Sequence, residues 1–317
     1  MRRALVVGID DYSFGPLTGC TADAVEVGRI LRHHADGSPN FDIRLRTAPS
    51  ERITRASLRR DLQELFQQPA EIALFYFSGH GSENDLGGFL VTQDAEAYDE
   101  GVSMSDVIDL ANRSNVTEVV VVVDCCHSGH LGNEIGPRDQ NAKVEIREGV
   151  SILTASRASQ AAMELDGRGV FTSLLCLALE GGAADVVGRT NVGGVFAYVD
   201  HSLGPWQQRP LFKTHVSSLV NLRQAEPAVP SEDLRRITEF FPAADDEFHL
   251  DPSFERTHET AVSDRVVDYD VLASYRDAHL LAVTTHEQLY FAAINGGSVH
   301  LTPLGRHYWR LVKDNRI

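Results

Sequence analysis

Two apolar runs in this sequence end in residues that could carry out covalent chemistry. Residues 119–123 are all valine and lead into Asp124-Cys125-Cys126-His127-Ser128-Gly129; residues 72–77 (Ile-Ala-Leu-Phe-Tyr-Phe) lead into Ser78-Gly79-His80-Gly81. A cysteine and a histidine that meet in space supply a nucleophile and a proton carrier, because the imidazole favours the thiolate and later protonates a leaving group. Cys126 is the expected nucleophile and His80 the expected general acid and base. The backbone N–H groups of Gly81 and Cys126 are the expected oxyanion donors, since glycine lets a substrate approach the main chain. Taken singly, each cysteine reads as a small buried apolar residue and His80 as a strand-end histidine. Their matched positions at two strand ends are what point to a site. Cys125 should face the core, opposite Cys126, because side chains alternate along a strand. Cys125, Cys126 and His127 lack chelating spacing, so no metal site is expected.

The segments that must position these residues alternate in type. Strands are expected at 4–9, 43–47, 72–77, 89–92, 118–124 and 150–153. Helices are expected from Thr21, as N-cap, through Leu31; at 54–67, with Leu58, Leu62, Leu65 and Phe66 on one face; from the Ser103 cap to about 113; and at 170–179 and 195–203. Strands that are apolar almost throughout indicate an α/β fold with a mostly parallel sheet covered on both faces, whose chemistry collects beyond the carboxyl ends of the strands. Asp10 and Asp11 follow the first strand, but no glycine-rich phosphate loop follows them.

The composition is that of a soluble globular protein. With 317 residues, 43% hydrophobic, the chain can bury a large domain and a smaller one. Its net charge of −16 argues against nucleic-acid binding and favours cationic substrates or partners. No apolar run approaches the roughly 20 residues of a membrane helix, and the first residues lack a signal-peptide pattern. Cys20, Cys125, Cys126 and Cys176 show no disulfide framework, which suits a reducing cytoplasm.

The motifs Ser78-Gly79-His80-Gly81 and Asp124-Cys125-Cys126-His127-Ser128-Gly129 resemble the paired catalytic motifs of the caspase/metacaspase family, and metacaspases more than animal caspases. Gly19-Cys20-Thr21-Ala22-Asp23-Ala24, Gly169-Val170-Phe171-Thr172 and Gln208-Arg209-Pro210 are similar to further family segments, so the resemblance spans roughly residues 4–222. It implies a caspase-like peptidase domain over 1–222 in which the second cysteine of the pair, Cys126, is the nucleophile. It implies an S1 pocket floored by Asp23 and Asp124 and lined by Cys20 and Ser78, and hence cleavage of proteins or peptides after Arg or Lys. Animal caspases, which cut after Asp, surround that position with arginines; here Arg157 alone lies on a later strand end. A dipole-complementing role near the start of a helix is the other reading of Asp23. Self-cleavage in residues 131–149 after Arg138, Lys143 or Arg147 is one expectation, and a solvated loop is the other. No cofactor is expected, although calcium activates many metacaspases. Asp94 and Asp106 match two of the acidic positions, whereas Asn133 stands where another acid is expected.

Pro227 and Pro230 mark a linker over 223–232, before an accessory α+β domain over 233–317. Residues 268–277 read as a helix. Residues 288–294 and 298–301 flank Asn295-Gly296-Gly297 as a β-hairpin, and Thr302-Pro303 caps a last helix. This order looks somewhat similar to a winged-helix module, but cations are scarce, so a protein partner and an effector-coupling role are expected. Bacterial caspase-like proteins with added domains resemble parts of defence systems. The competing class is a catalytically weak caspase-like scaffold or interaction module.

Overall fold

Strands that are apolar on both sides are stable only inside a layered sheet, and in the computed structural model the valine run lies at the centre of one. The structure describes residues 1–85, 87–96, 99–125, 145–155, 164–165, 168–203, 209–285 and 288–317. They fall into two compact units: Met1–Ala184 with Arg189–Ala225, and Asp185–Gly188 with Glu226–Ile317.

In chain order the first unit contains β1 (Arg2–Ile9), α1 (Cys20–Arg32), β2 (Asp42–Ala48), α2 (Arg55–Gln67), β3 (Ile72–Ser78), β4 (Gly81–Asn84), β5 (Gly87–Glu96), β6 (Asp99–Ser103), α3 (Met104–Asn112), β7 (Glu118–Asp124) and β8 (Val150–Thr154). β9 (Glu164–Leu165), β10 (Arg168–Gly169), α4 (Val170–Leu177), β11 (Arg189–Asn191), α5 (Val192–Ser202), β12 (Leu211–His215) and β13 (Asn221–Gln224) follow. The main sheet runs β12-β8-β7-β3-β1-β2, parallel except for β12. Its alternation divides the core in two. Leu5, Val7, Phe75, Phe77, Val121 and Val123 pack with α2 and α3. Ala4, Val6, Leu74, Tyr76, Val120 and Val122 pack with α1, α4 and α5. Cys125 is 1% exposed and belongs to the α2–α3 layer, as alternation requires.

Several local expectations are corrected. Thr21 does not cap α1. The helix begins at Cys20 with no side-chain cap from its own N-cap residue, and the Asp10 carboxylate instead accepts the N–H groups of Cys20 (2.8 Å) and Thr21 (3.0 Å). Asp10 therefore serves a helix start, where a carboxylate meets both free amides and the positive dipole end. α5 starts at Val192 because Asn191 accepts the Gly194 amide and caps it, which brings Gly193 and Gly194 inside the helix. The strand expected at 89–92 extends over Gly87–Glu96 as β5 and is the middle of a separate antiparallel sheet, β4-β5-β6.

The second unit contains α6 (Ser231–Arg235), α7 (Ile237–Phe240), β14 (Glu247–His249), α8 (Ser263–Asp277), β15 (Leu281–Val283), α9 (Leu289–Ile294), β16 (Ser298–Leu301) and α10 (Pro303–Lys313). Its sheet is antiparallel in the order β14-β16-β15, over a core including Leu272, Tyr275, Leu289, Val299 and Trp309. The expected hairpin over 288–301 does not form. Residues 289–294 are helical, and Asn295-Gly296-Gly297 terminates that helix, with Gly296 at φ 68° and the Gly297 amide donating back to the Ala292 carbonyl at 2.7 Å. β16 pairs with β14 and β15 instead, so the wing on which the winged-helix likeness leaned is missing. Thr302 and Pro303 open α10 as expected. No described helix in either unit is long and apolar enough to cross a membrane.

Candidate active site

Parallel pairing brings the carboxyl ends of β1, β3 and β7 side by side, with Gly8 opposite Ser78 and Ser78 opposite Asp124. Ser78 is 2% exposed and Asp124 6%, and the facing start of α1 adds Cys20 at 7% and Asp23 at 3%. Burial of this many polar groups at one sheet edge requires partners. The Gly169 amide donates to Asp23 Oδ2 at 3.1 Å, and Thr172 Oγ1 donates to Asp124 Oδ2 at 2.7 Å. Tyr76 Oη lies 2.6 Å from Thr172 Oγ1. Because the threonine proton already goes to the carboxylate, Tyr76 must donate the second bond, giving a chain Tyr76→Thr172→Asp124. Burial and the charges of Asp124 and Asp23 push the Tyr76 hydroxyl well above its ordinary pKa, so it keeps the proton it donates. Burial likewise pushes the Cys20 thiol far up, against a hydrogen bond with Ser78, and the nearby carboxylates of Asp10, Asp124 and Asp23 add to the effect. Cys20 is therefore a neutral thiol and not a competing nucleophile.

His80 is held from the other side of the strand ends. Its Nε2 lies 2.6 Å from the Gly15 carbonyl, which can only accept. Nε2 thus carries a proton, and in the neutral ring Nδ1 is the free base. Its backbone N–H donates to Tyr12 Oη at 3.1 Å, and Tyr12 in turn donates to the Val91 carbonyl at 3.1 Å. The Tyr12 ring is 4.7 Å from the imidazole, centroid to centroid. A side chain at Gly79 would meet Tyr12 Oη at 2.5 Å, so this glycine makes room for the tyrosine that orients the histidine. Gly81 opens β4 and is partly exposed.

The structure thus brings together Cys20, Asp23, Ser78 and Asp124, with His80 and Gly81 following at the end of β3. Cys126, the oxyanion donor expected at its amide, Arg157, Asn133, Arg138 and Lys143 lie outside the described residues. Sequence reasoning missed Tyr12, Gly15, Tyr76 and Thr172. Thr172 lay within a motif already singled out, whereas a backbone carbonyl such as that of Gly15 has no residue-type signal. Asp94 accepts from Thr92 Oγ1 and the Arg55 amide, and Asp106 faces Arg59 at 3.4 Å. Among the described residues, no group of three or more His, Cys, Asp or Glu side chains could hold a metal ion.

Arg147 is the self-cleavage candidate that lies within the described residues. Its Nη2 donates to the Val116 carbonyl at 2.6 Å and its Nε to the Ala111 carbonyl at 3.3 Å. Asn112 at the end of α3 accepts the Arg147 amide and donates to the Glu145 carbonyl. The side chain is a latch that fastens the approach to β8. Arg147→Gln is expected to lower stability by about 1–3 kcal/mol through carbonyls left unpaired, measured by urea unfolding. Any self-processing should leave the bond after residue 147 intact; a fragment beginning at Glu148 in the mass spectrum would refute the latch.

Comparisons with known proteins agree with the fold. The sequence matches the caspase domain family over residues 1–221. It is 28% identical over 149 residues to metacaspase-1 of Plasmodium falciparum, a match covering 40% of this chain and 24% of that protein. The chain thus spans about a quarter of that relative. Similar folds include a Geobacter sulfurreducens protein (TM-score 0.52, 16% identity, 72% of this chain and 98% of the other). Caspase-1 of Spodoptera frugiperda is another (TM-score 0.52, 12% identity, 71% and 90%). A parallel sheet with a histidine after its third strand and an acid-cysteine motif after the next, joined to a match over two-thirds of the sequence, leads to one assignment: the chain belongs to the caspase-domain family of cysteine peptidases.

Proposed function

We propose that the chain is a cysteine endopeptidase that cleaves peptide bonds after arginine or lysine. What carries this reading is the pair of buried carboxylates, Asp23 and Asp124, held by Gly169 and Thr172 at the strand ends beside His80. A pocket with two fixed carboxylates suits a guanidinium, which can engage both. In the reaction, His80 Nδ1 takes the Cys126 proton and the thiolate attacks the carbonyl carbon of the basic residue. The oxyanion is held by the amides of Gly81 and Cys126. Collapse forms a thioester and expels the amine, which takes the proton from His80. Water, deprotonated by His80, then hydrolyses the thioester and regenerates the thiol. The Gly15 and Tyr12 contacts fix the imidazole so that Nδ1 is the working nitrogen. The second unit, in this reading, couples the peptidase to a protein partner, as an effector of a bacterial defence or signalling system.

The test is hydrolysis of paired fluorogenic peptides with Arg or Asp before the scissile bond, with and without calcium, using Cys126→Ala as control. Arg cleavage is expected, at least a thousandfold lower in the variant. Cleavage after Asp would overturn the pocket assignment, and activity unchanged in Cys126→Ala would overturn the nucleophile.

A further inference from the structure

The loop between β1 and α1 is pinned at several points. Tyr12 is buried at 3% and packs with the α2–α3 core layer, and the Gly15 carbonyl binds His80 Nε2. Between them, Phe14 is 58% exposed. Its ring centroid lies 5.8 Å from the imidazole and 5.5 Å from Tyr12. Isolated exposed apolar side chains are ordinary on protein surfaces. This one is not isolated, because it extends an aromatic surface, Tyr12–His80–Phe14, that ends in solvent beside the proton carrier.

The position of that surface relates to the reaction. Asp23 and Asp124 are held from the α4 side, by Gly169 and Thr172, and would receive the residue before the scissile bond. His80 protonates the departing amine, so the residue after the scissile bond leaves past the imidazole. Tyr12 and Phe14 flank the imidazole from the β1–α1 loop. An exposed phenyl ring there has no polar group to offer and gains most by covering an apolar side chain.

We propose that Phe14 forms the floor of a primed-side subsite that takes an apolar or aromatic side chain at P1′, the residue following the scissile bond; this rests on the peptidase reading above. The enzyme therefore selects on both sides of the bond, a cation before it and an apolar residue after it.

The test uses internally quenched peptides that share one sequence with Arg at P1 and carry Gly, Leu or Phe at P1′. The native chain is expected to prefer Leu or Phe over Gly by about tenfold in kcat/KM. In Phe14→Ala that preference should shrink to about twofold or less, and Phe14→Leu should restore most of it. A structural role in holding His80 would lower all three peptides in proportion and keep the ratio, so an unchanged ratio overturns the subsite whatever the absolute rates. Arg cleavage with a ratio insensitive to Phe14 sinks the subsite alone. No Arg cleavage, or cleavage that survives Cys126→Ala, sinks the peptidase reading and the subsite with it.

Discussion

Asp124→Asn should lower kcat/KM for an Arg peptide by about a hundred- to several-thousandfold. The loss follows from leaving a desolvated guanidinium with one carboxylate instead of two. Removing one partner of a buried ion pair costs about 3–5 kcal/mol, and each 1.36 kcal/mol is tenfold in rate. Asparagine keeps the shape and an oxygen to accept the Thr172 hydroxyl, so the fold loses no hydrogen bond from that donor. The discriminating measurement is the ratio of rates on peptides with arginine or citrulline at P1, equal in shape but differing in charge. That ratio should collapse in Asp124→Asn. A ratio that stays constant would mean Asp124 does not face the substrate cation.

Much of this site was legible in the sequence because its residues sit where apolar runs stop. The end of a buried strand is a sharp boundary in composition, so Ser78, His80 and Asp124 were located by the pattern that located β3 and β7. What escaped was of two kinds. Contacts made by backbone, such as the Gly15 carbonyl to His80, depend on how a loop turns and not on which residue it carries. Contacts between distant segments, such as Tyr76 to Thr172, need the α4 side folded against the sheet before they exist. Tyr76 read as one more apolar strand residue because its hydroxyl finds a partner only from 96 positions away. Misread elements have similar causes. Tyr290 and Phe291 favour strands locally, and a six-residue helix is too short for its period to show against that preference. β4 and β6, rich in glycine and charge, are strands by pairing more than by composition.

The smallest side-chain change at the site should have one of the larger effects. Gly169 is at φ −64° and ψ 127°, a conformation open to every residue, so Gly169→Ala meets no backbone penalty. It meets a spatial one: the added carbon would lie 2.6 Å from Asp124 Oδ2 and 3.0 Å from Asp23 Oδ2. Neither carboxylate yields easily, since Asp124 is tied through Thr172 to Tyr76 and Asp23 accepts the Gly169 amide itself. Retreat of either oxygen detaches it from its donor and moves it from where a guanidinium would be met. Misplacement by about 1 Å in a positioning contact can cost about a hundredfold, and Gly169→Ala is expected to lower kcat/KM on Arg peptides by about that factor. Lysine peptides should lose less, because an ammonium is a compact point charge without the fixed fork geometry of a guanidinium. The Arg-to-Lys preference should therefore fall along with the rate. Cleavage of Arg peptides within about twofold of the native rate would show that the carboxylates have room to move, and that the hydrogen bonds of Gly169, Thr172 and Tyr76 do not set the specificity of this pocket.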